Sequence, residues 1–170
     1  MMETMKGAIV VRVNAVITLV FLVTAVIAAV LFDQPWKAIA VGVSLAAFTV
    51  GVVAFLWGYW SAVQRSREDN ISVAALYFLI DGCAPRAIAR QMNSLLAVQV
   101  IGGLATALAR PTTGTERGST LAFGILVPML GLGMNGLWGA LYGTFAPRNP
   151  GVSDEVPTQG AEIEKDGDHD

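Results

Sequence analysis

Four long apolar stretches alternate with short polar segments along this chain. They cover residues 13–32, 38–60, 91–109 and 120–145. A helix needs about 20 mostly apolar residues to cross the hydrocarbon core of a bilayer, and each stretch reaches or approaches that length. The pattern therefore predicts an all-α polytopic membrane protein with four transmembrane helices.

The first stretch has a competing interpretation as a cleaved signal peptide, because Lys6 and Arg12 precede it. Its apolar run is longer than the usual core of a signal peptide. It also ends at Phe32 and Asp33 without the small residues that mark a cleavage site. We therefore expect it to be the first membrane span.

A fifth apolar segment, at about 71–81, is too short to cross a membrane. It could lie in the interface, pack as a short helix against the bundle, or extend the next helix with a break before Pro85. We favour an interfacial or partly buried helix, with Asn70 as its N-cap and Gly82 as its stop.

The fourth stretch combines a proline with many glycines. Pro128 lacks an N–H, so we expect a kink there and an unpaired carbonyl near Gly124. Gly136, Gly139 and Gly143 follow helical spacing and let another helix approach closely. They predict a helix-packing face, used either inside the bundle or between chains.

Two uncharged polar residues lie near the middle of apolar stretches, Gln99 in the third and Asn135 in the fourth. Either amide would be unsatisfied in lipid, so both should face protein. We expect interhelical hydrogen bonds between them or to a neighbouring backbone. A contact to a ligand or ion is the alternative.

The overall composition agrees with a membrane protein, since 54% of the residues are hydrophobic and only 14% are charged. A soluble domain carries about 25% charged residues. The net charge of −2 divides into −6 for residues 154–170 and +4 for the rest. Residues 149–170 hold two prolines, many acids and no aromatic, which predicts a disordered acidic tail.

Basic residues are distributed unevenly between the two sides of the predicted bundle. Eight precede the first span, follow the fourth or lie between the second and third, whereas three lie in the other loops. The positive-inside rule then places both termini, and the loop between the second and third spans, in the cytoplasm. Six arginines are expected to contact anionic lipid headgroups: Arg12, Arg65, Arg67, Arg86, Arg90 and Arg148. For Asp81, we expect a local ion pair with Arg86 or Arg90, or a contact with a helix terminus. A role in the path of a transported proton is the alternative.

Most familiar active-site chemistry is missing from the sequence. Cys83 is the only cysteine and His169 the only histidine. The chain has no Walker, HExxH or GxSxG motif, and the GxGxxG match at 131–136 lies in an apolar span without a preceding strand. We therefore predict no catalytic residue, metal or cofactor. Nucleic-acid binding is not expected either, because membrane topology explains the basic residues.

Several short runs resemble small four-span membrane proteins of Actinobacteria. The runs are FLWGYW (55–60), RSR (65–67), APR (84–86), VQV (98–100), ARPT (109–112), LAFG (121–124), GLG (131–133) and GLWG (136–139). The resemblance covers about residues 7–148. It implies a bacterial plasma membrane but no activity, because the function of that family is unknown.

The leading functional hypothesis is a non-enzymatic accessory, assembly or scaffold subunit that acts through helix packing. Its partners would be the bilayer and either another membrane protein or a second copy of the chain. The alternative is a small oligomeric transporter or channel with a polar pathway near Gln99 and Asn135. A lipid-modifying enzyme ranks third, since only the short apolar segment and the arginines favour it.

Overall fold

The chain forms a bundle of long helices. The computed structural model describes residues 2–31, 33–109, 112–113, 116–117 and 120–148. Its helices are α1 (Met2–Leu31), α2 (Gln34–Arg65), α3 (Val73–Phe78), α4 (Arg86–Ala109), a 3₁₀ helix (Thr120–Leu126) and α5 (Pro128–Tyr142). Four segments are long and apolar enough to cross a membrane: Gly7–Leu31, Pro35–Arg65, Arg86–Leu108 and Phe123–Tyr142. The prediction of an all-α four-span membrane protein is confirmed, while the predicted tail at 149–170 lies outside the described residues.

The first three long helices extend beyond the apolar stretches that predicted them. α1 begins well before residue 13, α2 continues to Arg65, and α4 begins at Arg86, directly after Pro85. Hydropathy marks only the lipid-embedded part of a helix, whereas backbone hydrogen bonding continues into the interface. Between α4 and the 3₁₀ helix, the chain forms a small antiparallel hairpin of β1 (Thr112–Thr113) and β2 (Glu116–Arg117).

α5 lies at the centre of the bundle. Of the most apolar part of its span, 61% is buried, against 22–28% for the other three spans. The remaining long helices surround α5 and expose large apolar side chains such as Leu19, Val53 and Ile101. An outward apolar surface of this kind is suited to lipid acyl chains.

α3 is shorter than predicted and begins at a different cap. Its N-cap is Ser72 rather than Asn70, because the Ser72 hydroxyl accepts a hydrogen bond from the Ala75 N–H at 3.0 Å. The helix ends before Leu79, whose φ of 51° lies in the left-handed region, and the predicted stop at Gly82 comes three residues later.

α3 inserts into the bundle, with Ala75, Leu76 and Tyr77 buried. The Tyr77 ring stacks on Phe55 with centroids 4.6 Å apart and planes inclined by 16°. Phe55 precedes the end of α2 by ten residues, or about 15 Å of helix. The segment is therefore partly buried, as expected, and part of it reaches well below the end of α2.

Pro128 starts a helix instead of kinking one, which corrects the prediction from the sequence. The 3₁₀ helix precedes it, and the Val127 N–H donates to the Gly124 carbonyl at 3.1 Å. This tighter i→i+3 bond supplies the partner that Pro128 cannot give. The carbonyl expected to be unpaired is thus satisfied.

Candidate functional site

Gln99 forms the centre of a buried polar cluster beside the start of α5. Its Nε2 donates to Asn14 Oδ1 at 3.0 Å and to Thr18 Oγ1 at 2.6 Å. Its Oε1 accepts a hydrogen bond from the Gly131 N–H at 2.9 Å. Gln99 and Asn14 are completely buried. This Gln99 cluster (Asn14, Thr18, Gln99 and the Gly131 N–H) joins α1 and α4 to the first turn of α5.

Asn135 forms a second buried cluster, at the end of α3. Its Nδ2 donates to the Tyr77 carbonyl at 3.0 Å and to Asn93 Oδ1 at 2.9 Å. Asn93 Nδ2 in turn donates to the Phe78 carbonyl at 2.7 Å. This Asn135 cluster (Asn93, Asn135 and the carbonyls of Tyr77 and Phe78) supplies donors to the last turn of α3.

The two amides singled out from the sequence do not hydrogen-bond to each other. Each bonds to a backbone group, which was the other predicted alternative, and also to a side chain of another helix. The reason is that α3 ends and α5 begins inside the bundle, where water does not satisfy the free backbone groups of a helix end. Gln99 and Asn135 therefore act as caps for helix ends at membrane depth.

Sequence reasoning missed Asn14, Thr18 and Asn93 as members of these clusters. Asn14 and Thr18 are four residues apart, on one face of α1. This spacing was the sequence feature that could have identified them as a polar pair facing another helix. Asn93 lies six residues before Gln99, at the start of the predicted third span. Its role depends on the insertion of α3, which no local pattern reveals.

Three buried polar atoms have no hydrogen-bond partner within the part of the chain that the structure describes. They are Asn14 Nδ2, Asn135 Oδ1 and Trp138 Nε1. Buried polar atoms are usually paired, so each marks a place where a donor or acceptor is left over. The first two belong to the amide clusters, whereas Trp138 lies nearer the end of α5.

The predicted packing face of α5 is used inside the protein. Gly136 lies against the Tyr77 ring, and a Cβ atom on Gly139 would meet the Leu76 carbonyl oxygen at 2.8 Å. Gly143 is buried, and its N–H donates to the Gly139 carbonyl at 2.9 Å. Of the two uses left open by the sequence, the structure places Gly136 and Gly139 in contacts within the chain, chiefly with α3.

Arg65, which was predicted to contact lipid headgroups, forms hydrogen bonds within the chain. Its Nε and Nη2 donate to Asp69 Oδ2 at 3.2 and 2.8 Å. Nη1 donates to the Ala140 carbonyl at 2.8 Å, and Nη1 and Nη2 both reach the Gly143 carbonyl at 3.2 Å. All five guanidinium N–H groups thus donate hydrogen bonds. The three bonds to the Ala140 and Gly143 carbonyls cap the end of α5.

The other predicted headgroup contacts lie at the surface. Arg148 Nη1 donates to the Ser66 carbonyl at 2.9 Å. Among the described residues, no hydrogen bond or ion pair is formed by the exposed side chains of Arg12, Arg67, Arg86 and Arg90, so the expected ion pair of Asp81 is not formed. Lipid contact by these four arginines stays a prediction.

Two titratable groups near α3 are perturbed by burial. The Cys83 thiol donates to the Ala75 carbonyl at 3.2 Å, and burial raises its pKa. Burial also raises the pKa of the Tyr77 hydroxyl, which donates to the Phe55 carbonyl at 3.4 Å. Both groups are thus held in their neutral forms.

No group of three or more His, Cys, Asp or Glu side chains among the described residues could hold a metal ion.

Comparison of the chain with protein-family models, with curated proteins and with solved structures gives no match.

Proposed function

We propose that the protein is a non-enzymatic accessory subunit of the bacterial plasma membrane, with both termini in the cytoplasm, that acts by packing against another membrane protein. Four apolar helices indicate a membrane location. The observation that carries the proposal is the complete burial of Gln99 and Asn135, each hydrogen-bonded between helices. The two buried amides singled out from the sequence therefore serve the fold.

This use of the amides distinguishes the accessory role from the transporter alternative. A polar pathway near Gln99 and Asn135 needs these groups to be accessible to a solute. Both have no exposed surface, and their hydrogen bonds cap α3 and α5. Opening such a pathway in one chain would break the contacts that hold those helix ends.

A groove between α2 and α5 is the most suitable surface for a partner helix. It has a volume of about 470 Å³, and its wall includes Val50, Val53, Trp57 and Met134. Its side chains are nearly all apolar, and the groove opens outward. A helix placed there would gain van der Waals contacts, which drive helix association in lipid.

Affinity purification from native membranes in mild detergent tests the proposal with two matched variants. Val53→Trp fills the groove, whereas Leu56→Trp places the same indole side chain outside it. The two native side chains are 60% and 59% exposed. We expect one membrane protein to co-purify with the wild type and with Leu56→Trp, and to be lost with Val53→Trp. A purified chain without such a companion, or solute flux in proteoliposomes that contain only this protein, would contradict the accessory role.

A further inference from the structure

A cavity of about 810 Å³ lies at one end of the bundle, formed by the start of α1, Arg65, residues 82–88 and the end of α5 with the two residues that follow it. Its wall includes Gly7, Ala8, Ile88, Trp138 and Tyr142. Three membrane-spanning segments reach their limits here, at residues 7, 86 and 142. The cavity is therefore at the depth where acyl chains give way to lipid headgroups.

The indole N–H of Trp138 is a donor without an acceptor in this wall. Trp138 is 5% exposed, and its Nε1 has no partner within the described ranges. A Cβ atom on Gly7 would be 3.1 Å from that nitrogen, so the indole N–H lies against a glycine that also lines the cavity. Because a buried indole N–H usually finds a hydrogen-bond partner, this site calls for an acceptor from beyond the described residues.

The charge beside the cavity comes from Arg12 rather than from Arg65. Arg65 is part of the wall, but all five of its N–H groups are already donated. Arg12 follows Ala8 by one helical turn on the same face of α1, and it is exposed. Helical side chains lean toward the helix N-terminus, so its guanidinium extends back toward Ala8. An anionic group beside Ala8 would thus be near a base that forms no hydrogen bond or ion pair within the described ranges.

We propose that this cavity binds one anionic phospholipid through its glycerol ester region. The ester carbonyl accepts a hydrogen bond from Trp138 Nε1, an acyl chain packs against the apolar wall, and the phosphate pairs with Arg12. A volume of about 810 Å³ holds the glycerol region and part of a chain, and it lies within the usual range for small-molecule sites. This proposal does not depend on the accessory role, because a lipid can occupy the cavity whether or not a partner helix binds elsewhere.

The ester carbonyl is tested by comparing two lipids that differ only in that group. Delipidated protein in detergent is titrated with diester phosphatidylglycerol and with its diether analogue, and bound lipid is counted by native mass spectrometry. We expect the wild type to bind the diester lipid about three- to tenfold more tightly, as one net hydrogen bond allows. Trp138→Phe should abolish this preference, whereas Trp60→Phe, which changes an exposed indole, should retain it.

The charge and the cavity are tested with further variants. Arg12→Gln should reduce the preference for phosphatidylglycerol over phosphatidylcholine, and Arg117→Gln, which changes an arginine of β2 beyond the other end of α4, should not. Ala8→Phe should weaken binding of both phosphatidylglycerol forms by filling the cavity. Equal binding of diester and diether lipid by the wild type would overturn the proposal, and this comparison needs no variant to fold. Loss of a co-purifying polypeptide with Ala8→Phe, while lipid binding is unchanged, would assign the cavity to a protein partner and would also overturn it.

Discussion

The two sides of α5 are held by different forces. Toward α2, backbone meets backbone through glycines: a Cβ atom on Gly51 would lie 2.5 Å from Leu130 N, and one on Gly58 would lie 2.8 Å from the Gly136 carbonyl carbon. Toward α4, side-chain amides bridge the helices through Gln99 and Asn135. The first side depends on close van der Waals contact and the second on hydrogen bonds.

This difference follows from the forces that act between helices in a membrane. Lipid is as apolar as the helix surfaces, so burial of apolar area does not drive helices together, and packing and hydrogen bonds must do so. α5 is also a short helix that begins inside the bundle, and it needs partners for its ends. Gln99 caps its start and Arg65 its end, while the glycines of α2 fix its position laterally.

The largest effect is expected where a methyl group is added on the α2 side. Gly51→Ala places a carbon against the backbone of Met129 and Leu130, so α2 and α5 must separate, and we expect a loss of about 3 kcal/mol in the free energy of unfolding. Gly42→Ala is the matched control in the same helix, since a Cβ atom there has no neighbour within 4 Å.

SDS-induced unfolding followed by circular dichroism measures both glycine variants. Gly42→Ala should be at least as stable as the wild type, because alanine favours the helix. If the two variants unfolded at the same SDS fraction, the close contact between α2 and α5 would not be what stabilises this side of α5.

The second largest effect is expected on the amide side. Gln99→Leu removes three hydrogen bonds and leaves Asn14, Thr18 and the Gly131 N–H without them. At about 0.6 kcal/mol for each interhelical bond, the expected loss is about 2 kcal/mol. Gln91→Leu is the control, because it changes an exposed glutamine of the same helix. Equal stability of the two variants in the same SDS titration would show that the Gln99 cluster does not hold α5.

A smaller effect is expected in the Asn135 cluster. Asn135→Leu removes two hydrogen bonds, for an expected loss of about 1 kcal/mol. A double-mutant cycle with Asn93→Leu isolates the bond between the two amides, which should appear as a coupling of about 0.6 kcal/mol. Additive losses would mean that each asparagine acts only on the α3 carbonyls.

Hydropathy was sufficient to predict the four spans, because each long apolar run has one stable arrangement in lipid. The placement of α3 was harder to predict, since a ten-residue apolar segment has the same pattern at the interface as inside a bundle. Ser72 and Asn70 were both suitable caps, and only the local backbone selects Ser72.

The sequence predicted the two central residues of the candidate site but not the side chains that bond to them. Gln99 and Asn135 stand out because an amide in lipid needs a partner. Their actual partners depend on helix ends that lie inside the bundle, and the clearest example is Pro128. A proline in an apolar run suggests a kinked helix, whereas here the 3₁₀ bond at Gly124 lets it begin a new one.

The smallest expected effect is kinetic and concerns Cys83, whose thiol donates to α3. Burial raises its pKa, so at a given pH the native chain has less thiolate than an unfolded one, and maleimide labelling should be slow. The neutral thiol is favoured by folding, so its contribution to stability is present below the unfolded pKa and is lost as pH rises through the folded pKa. Labelling should therefore accelerate with rising pH, and it should be fast at neutral pH in SDS.

Asn135→Leu, which loosens the end of α3, should speed native labelling more than Gln99→Leu does. The reverse order would mean that access to the thiol depends on the start of α5 rather than on the cap of α3.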